Sequence, residues 1–141
     1  MDHVVYLDVK AQEMEKILSG AKTMVIRGAA GRKLPYGRVE VGDVLYFINN
    51  NAEGSVKAKG VVDKAYNSEK LTPNQSSELI SQHQSQLQLT DLQIKRWSSK
   101  RYIVLIGIRN VQTITPFKID KKNYGNMDDW LLVEKIDNIK Q

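Results

Sequence analysis

Apolar residues in this chain fall in short runs separated by glycine, proline and asparagine, and the period within each run sets the element it predicts. Val4 to Val9 is β-branched and aromatic and reads as a strand. Met14, Ile17 and Leu18 stand at i, i+3 and i+4, the spacing of a short amphipathic helix that covers a sheet with one face. Gly20 follows the last turn, where a residue free to adopt the left-handed conformation ends a helix and redirects the chain. Thr23 to Arg27 predicts a second strand and Val44 to Ile48 a dense apolar third. Val56 to Tyr66 predicts a long fourth, with Lys57 and Lys59 marking a wet face.

Thr72-Pro73 is a helix start, because threonine caps and proline at the first helical position gives up no needed N–H. The Ser/Gln-rich segment that follows predicts a helix through Gln88, or a mobile flap. Thr90 caps a further helix to Trp97, with Leu92, Ile94 and Trp97 expected to face inward. Tyr102 to Val111 and Trp130 to Ile136 predict two more strands, and no internal repeat is visible. Five or more strands with two or three inserted or flanking helices predict an α+β protein built on a small mixed, partly closed β-barrel. An OB-type barrel or a ferredoxin-like sheet gives a similar list of elements. A length of 141 residues and 41% hydrophobic composition predict one domain spanning 1–141.

Charge adds a direction. The chain has 21 Lys+Arg against 16 Asp+Glu, a net charge of +5, which fits an anionic partner. Its placement says more than its sum. Lys22, Arg27, Arg32, Lys33 and Arg38 lie between Ala21 and Val39 with no acidic residue among them. Lys95, Arg96, Lys100, Arg101, Arg109 and Lys118 lie between Leu92 and Ile119, again without one. The carboxylates gather later, at Asp120, Asp128, Asp129, Glu134 and Asp137. The bland alternative is a solvated basic surface.

Absence of cysteine excludes disulfides, thiolate zinc sites and cysteine nucleophiles. His3 and His83, the two histidines, lie in unrelated segments and predict neither a metal pair nor a Ser-His-Asp arrangement, so no metal or cofactor is expected. No apolar run reaches the roughly 20 residues of a membrane span and the N-terminus is acidic, so a cytoplasmic protein with no membrane partner is expected.

Strand alternation assigns candidate site residues. Thr23, Val25 and Arg27 share one face, and Met24 and Ile26 the other, taken as the core. Lys22 stands at the helix-to-strand bend, where its long side chain is expected to swing over the face of Arg27. A guanidinium fork and an ammonium together suit phosphate or a base edge. The structural alternative pairs Arg27 with a carboxylate such as Asp43.

Ser19-Gly20-Ala21-Lys22-Thr23, then Arg27, then Val41-Gly42-Asp43-Val44 before an apolar strand, resembles the pattern of the ASCH family of PUA-like barrels. The resemblance covers residues 3 to 49 and continues more weakly through Tyr102 to Val111 and the strand at Trp130. The acidic residue usual two positions before the arginine is replaced by Val25. The resemblance implies RNA or modified nucleosides as ligands. Some small members resemble amidohydrolases of acylated cytidine that use a lysine, a threonine three residues later and a glutamate. The lysine maps to Lys22, a candidate catalytic cation, but the threonine maps to Val25, which has no hydroxyl. Asp63 is the nearest carboxylate for the glutamate, and Thr23 lies roughly 6 to 7 Å along the strand from the required position.

Gly20-Ala21-Lys22-Thr23 has the outline of a phosphate-binding loop but lacks its glycines, since Ala21 and Lys16 occupy those places. Asp128-Asp129 reads as a turn feature. Aromatic residues beside cations offer stacking for bases. Trp97 lies between Arg96 and Lys100, with a core anchor as its alternative, and Tyr36 between Lys33 and Arg38 is expected to be exposed. Trp130 is expected in the core.

The first reading is therefore a nucleic-acid-binding module, RNA foremost, with a cleft lined by Lys22, Thr23, Arg27, Arg32, Lys33, Tyr36 and Arg38 and extended by Lys95, Arg96, Lys100 and Arg101. Replacing Lys22 and Arg27 with alanine is expected to weaken binding without unfolding the protein. The alternatives are a small hydrolase acting on a modified nucleoside, a ribonuclease, or a barrel whose segment from Asn74 to Gln88 selects a protein partner. All depend on whether the two basic runs converge.

Overall fold

Six strands form one mixed sheet in the order β2-β5-β4-β3-β1-β6, curled into a half-barrel, in a computed structural model that describes residues 1–125 and 128–141. The strands are β1 (Asp2–Leu7), β2 (Met24–Ala29), β3 (Val44–Asn49), β4 (Ser55–Asn67), β5 (Tyr102–Lys118) and β6 (Trp130–Glu134). The helices are α1 (Glu13–Leu18), α2 (Pro73–Gln82), α3 (Gln84–Leu87) and α4 (Asp91–Trp97), and a 3-10 turn (Ile136–Asn138) follows β6. Among the described residues only β1 and β3 are parallel neighbours, and α1 with β2 fills the crossover between them. Among the described residues no helix is long and apolar enough to cross a membrane.

Curvature comes from β4 and β5. Register shifts interrupt their pairing at three places along β4, and each such bulge bends the ladder and adds twist. The sequence ends the β5 run at Val111, whereas the strand continues to Lys118. The residues from Ile114 to Pro116 have no ladder partner on β4, so the missing N–H of Pro116 breaks nothing there.

Three apolar clusters hold the layers. Val5, Leu7, Phe47, Val62, Val104 and Trp130 fill the barrel interior. Met24, Ile26, Ile80, Leu87, Trp97 and Leu105 lie between the outer face of the sheet and the helices. Val4, Ile48, Val56, Leu131 and Ile136 close the far end. β2 is therefore covered on both faces, Met24 and Ile26 toward the helices and Val25 toward the barrel, and Arg27 is buried as well.

The helix signals act as read. Gly20 has φ +84° after α1, and Thr72 and Thr90 each form a reciprocal capping box, with Gln75 and Gln93 respectively. The run to Gln88 is two helices, broken at His83. Leu92, expected to face inward, is 81% exposed; α4 instead buries Gln93 and Trp97, one turn apart.

Candidate functional site

Lys22 does not swing over an open surface. Its side chain is 1% exposed, its ammonium lies 3.3 Å from Oε2 of Glu13, and it donates a hydrogen bond of 2.5 Å to the carbonyl of Leu87. Oε1 of Glu13 accepts the backbone N–H of Asp8 at 2.7 Å. Lys22 thus ties α1 to the end of α3. Burial pushes its amine below the ordinary lysine value, and Glu13 partly restores it. Exposed Thr23 lies in a separate groove with Ser19, Gly20 and Arg109. Lys22 and Thr23 are thus corrected as lining residues of the main cleft: both border this other groove, and Lys22 is itself buried. Lys22 and Arg27 are both buried, so replacing them together is expected to cost stability as well as any binding.

Arg27 sits at the barrel mouth, 8% exposed. It donates through Nη1 to the carbonyl of Ile26 at 2.8 Å and through Nη2 to that of Tyr6 at 2.7 Å. Its carboxylate partner is Asp129, with Nε 3.2 Å from Oδ2, and its guanidinium lies 5.6 Å from the Trp130 ring centroid. The Nε–H is not aimed along the line to Asp129, so this buried donor makes no hydrogen bond.

Asp43, named by the sequence as a partner for Arg27, is held by His3 instead. Nε2 of His3 lies 2.8 Å from Oδ2 of Asp43, and the indole N–H of Trp130 donates to Nδ1 of His3 at 3.0 Å. An indole nitrogen can only donate, so Nδ1 is bare and the proton sits on Nε2, facing Asp43. The fully buried ring is neutral. Burial pushes its pKa down, against the raising effect of Asp43. Burial pushes Asp43 up, but hydrogen bonds from His3 and the Glu40 N–H outweigh that and its net shift is downward. Sequence reading missed this relay because its members are 40 and 127 positions apart. Parallel pairing of β1 with β3 and antiparallel pairing of β1 with β6 bring them together.

Between the barrel mouth and α4 runs a cleft in two connected chambers that share Arg27, Arg96, Trp97 and Asp129. The inner chamber, about 100 Å³, is also lined by Tyr6, Asp8, Glu13, Asn50 and Gln93. The outer chamber, about 290 Å³, adds Gly28, Lys33 and Lys100. Arg27 and Lys33 come from the first basic run, Arg96 and Lys100 from the second. The two runs therefore meet on one cleft, where four cations face one carboxylate. Gly28 makes the approach possible: a Cβ there would stand 3.0 Å from both Cβ and Cγ of Lys100.

Trp97 is a core residue, 6% exposed, whose ring carries the Arg96 guanidinium at 4.5 Å from its centroid. Arg32 lies 5.6 Å from the centroids of both Tyr36 and Tyr102. Tyr36 is half-buried rather than exposed; its hydroxyl donates to the Ser68 carbonyl at 2.5 Å and its ring packs edge-on against Tyr102. Arg38, Lys95 and Arg101 are exposed but line neither chamber. Among the described residues no three His, Asp or Glu side chains stand together in a way that holds a metal ion.

No family model matches the sequence, and no curated protein matches it. Solved structures do match its fold. The chain is similar to the crystal structure of ASCH from Zymomonas mobilis, at 17% identity and a TM-score of 0.69, over 97% of this chain and 91% of that one. A tyrosine-to-phenylalanine variant of the same Zymomonas mobilis protein matches at 17% identity and a TM-score of 0.70, over 97% and 93%. The mixed half-barrel with its flanking helices is therefore an ASCH-type, PUA-like α+β fold.

Proposed function

We propose that this ASCH-type fold binds single-stranded nucleic acid, RNA foremost, across the cleft between β2 and α4. One observation carries the reading: two basic runs about seventy residues apart in sequence place Arg27, Lys33, Arg96 and Lys100 around one open chamber. Lys33 and Lys100 are the phosphate contacts, free to follow a flexible backbone. Arg96 and Arg27 are held by Trp97 and by backbone carbonyls, so they present fixed donors. Arg32 on its two tyrosine rings continues the basic surface beyond Lys33. Lys22 supports the site from within and touches no ligand.

Chemistry on a nucleoside has less support. Val25 is packed in the barrel interior and offers no nucleophile, and Asp63 is exposed and lines neither chamber.

The test is an anisotropy titration of a labelled single-stranded RNA against the wild type and the Lys33→Ala/Lys100→Ala protein. Removing two phosphate-binding cations is expected to weaken low-salt binding by roughly tenfold or more, with an unchanged unfolding midpoint. Equal affinity for the two proteins would remove the assignment.

A further inference from the structure

Trp130 joins the buried His3 relay to the wall of the cleft. Its indole N–H donates to Nδ1 of His3 at 3.0 Å, and the two rings meet edge-on with centroids 5.8 Å apart. The same indole carries the Arg27 guanidinium, 5.6 Å from its ring centroid. Asp129, one residue back along the chain, lies 3.2 Å from Nε of Arg27 and accepts the Tyr6 N–H through its carbonyl at 3.0 Å. Arg27 and Asp129 border both chambers, and Tyr6 borders the inner one. A change at Nδ1 of His3 therefore reaches the cleft through a single buried residue.

Nδ1 accepts only while the ring is neutral. A proton added there makes it a donor aimed at the indole N–H, which can only donate, so the two N–H groups oppose each other in a site closed to water. Nε2 keeps its bond to Asp43, and the relay breaks on the Trp130 side. The charges acting on the ring are Asp43, Asp2 on β1 and the Met1 ammonium, which lies 3.7 Å from Asp43. The carboxylates favour the added proton, whereas burial and the ammonium oppose it. On the neighbouring strands Leu45 and Leu132 pair with His3, and neither ionises. We propose that His3 is a proton-operated positioning residue for the cleft: the neutral ring fixes Trp130 and through it Arg27 and Asp129, and the charged ring releases them and weakens RNA binding. This rests on the nucleic-acid reading above. Linkage makes the effect reciprocal, so bound RNA opposes protonation of the ring.

The test follows the His3 ring by NMR of histidine-labelled protein while anisotropy titrations with labelled oligouridine are run at the same pH values, from about pH 7 down to the onset of acid unfolding. Affinity in the wild type is expected to fall in step with the neutral fraction of the ring, by at least about fivefold when it is charged, the low end for coupled sites. Saturating oligouridine should move the ring's titration to lower pH. His3→Gln gives Trp130 an acceptor that does not titrate, and its affinity should lose this pH dependence. Trp130→Phe removes the indole N–H and should do the same, in case the first variant fails to fold; His83, the other histidine, remains in both. A ring that stays neutral until the protein unfolds, an affinity unchanged as the ring charges, or a pH dependence that survives in a folded variant would overturn the inference and leave the binding module standing. Failure of oligouridine and of the labelled RNA to bind at any pH would instead overturn the parent reading.

Discussion

The Lys22 ammonium stands 3.3 Å from a carboxylate oxygen of Glu13, and both side chains are closed off from water. Such a pair stabilises little relative to apolar residues of the same shape, but breaking it strands a buried charge. Lys22→Met is therefore expected to destabilise the protein by about 3–5 kcal/mol, and Glu13→Gln with Lys22→Met to recover much of that loss. Urea unfolding of the two variants measures it. A loss below about 1 kcal/mol in the single variant would mean that the pair is not a structural tie.

His3 makes the fold sensitive to mild acid. Its native pKa lies below the ordinary 6.5, so above that pH the ring is neutral in both native and unfolded states. As pH falls below it, the unfolded chain takes up a proton that the native ring refuses. Stability then drops by up to about 1.4 kcal/mol per pH unit until the native ring protonates too. His3→Gln offers one acceptor to Trp130 and one donor to Asp43 without titrating. Unfolding free energies between about pH 7 and pH 5 should slope in the wild type and flatten in this variant. Parallel slopes would assign the acid sensitivity elsewhere.

Gly28 links the fold to the cleft. A methyl group there meets the base of the Lys100 side chain and stands 3.3 Å from the carbonyl of Tyr102 on the paired strand. Neither neighbour is the free end of a flexible chain. Gly28→Ala is expected to cost about 1–3 kcal/mol and to displace Lys100, lowering RNA affinity along with the melting temperature. Unchanged stability and affinity would show that the strand and the α4–β5 turn separate at no cost.

Much of the fold was legible because its signals are local. Thr72-Pro73, Thr90 and Gly20 each dictate backbone geometry within a few residues, and the apolar runs marked six strands. The site was legible only as a direction. Alternation along β2 put Arg27 and Val25 on one face, but the chain does not announce that helices cover the other face and leave no open side. The reach of Lys22 was misread for the same reason, since its partners are the distant Glu13 and Leu87. The His3, Trp130 and Asp43 relay left no trace in any window of sequence because sheet order alone assembles it. Tyr36 looked exposed for want of apolar neighbours, yet its packing partner Tyr102 lies on another strand.

The salt dependence of RNA binding tests the central claim most directly. Log affinity plotted against log salt should be linear and steep for the wild type. Its slope should shrink by about 1.4 in Lys33→Ala/Lys100→Ala, about 0.7 for each single-strand phosphate that is no longer neutralised. A wild-type affinity indifferent to salt, or a slope unaltered by removing both lysines, would contradict the account of this cleft as a phosphate-binding surface.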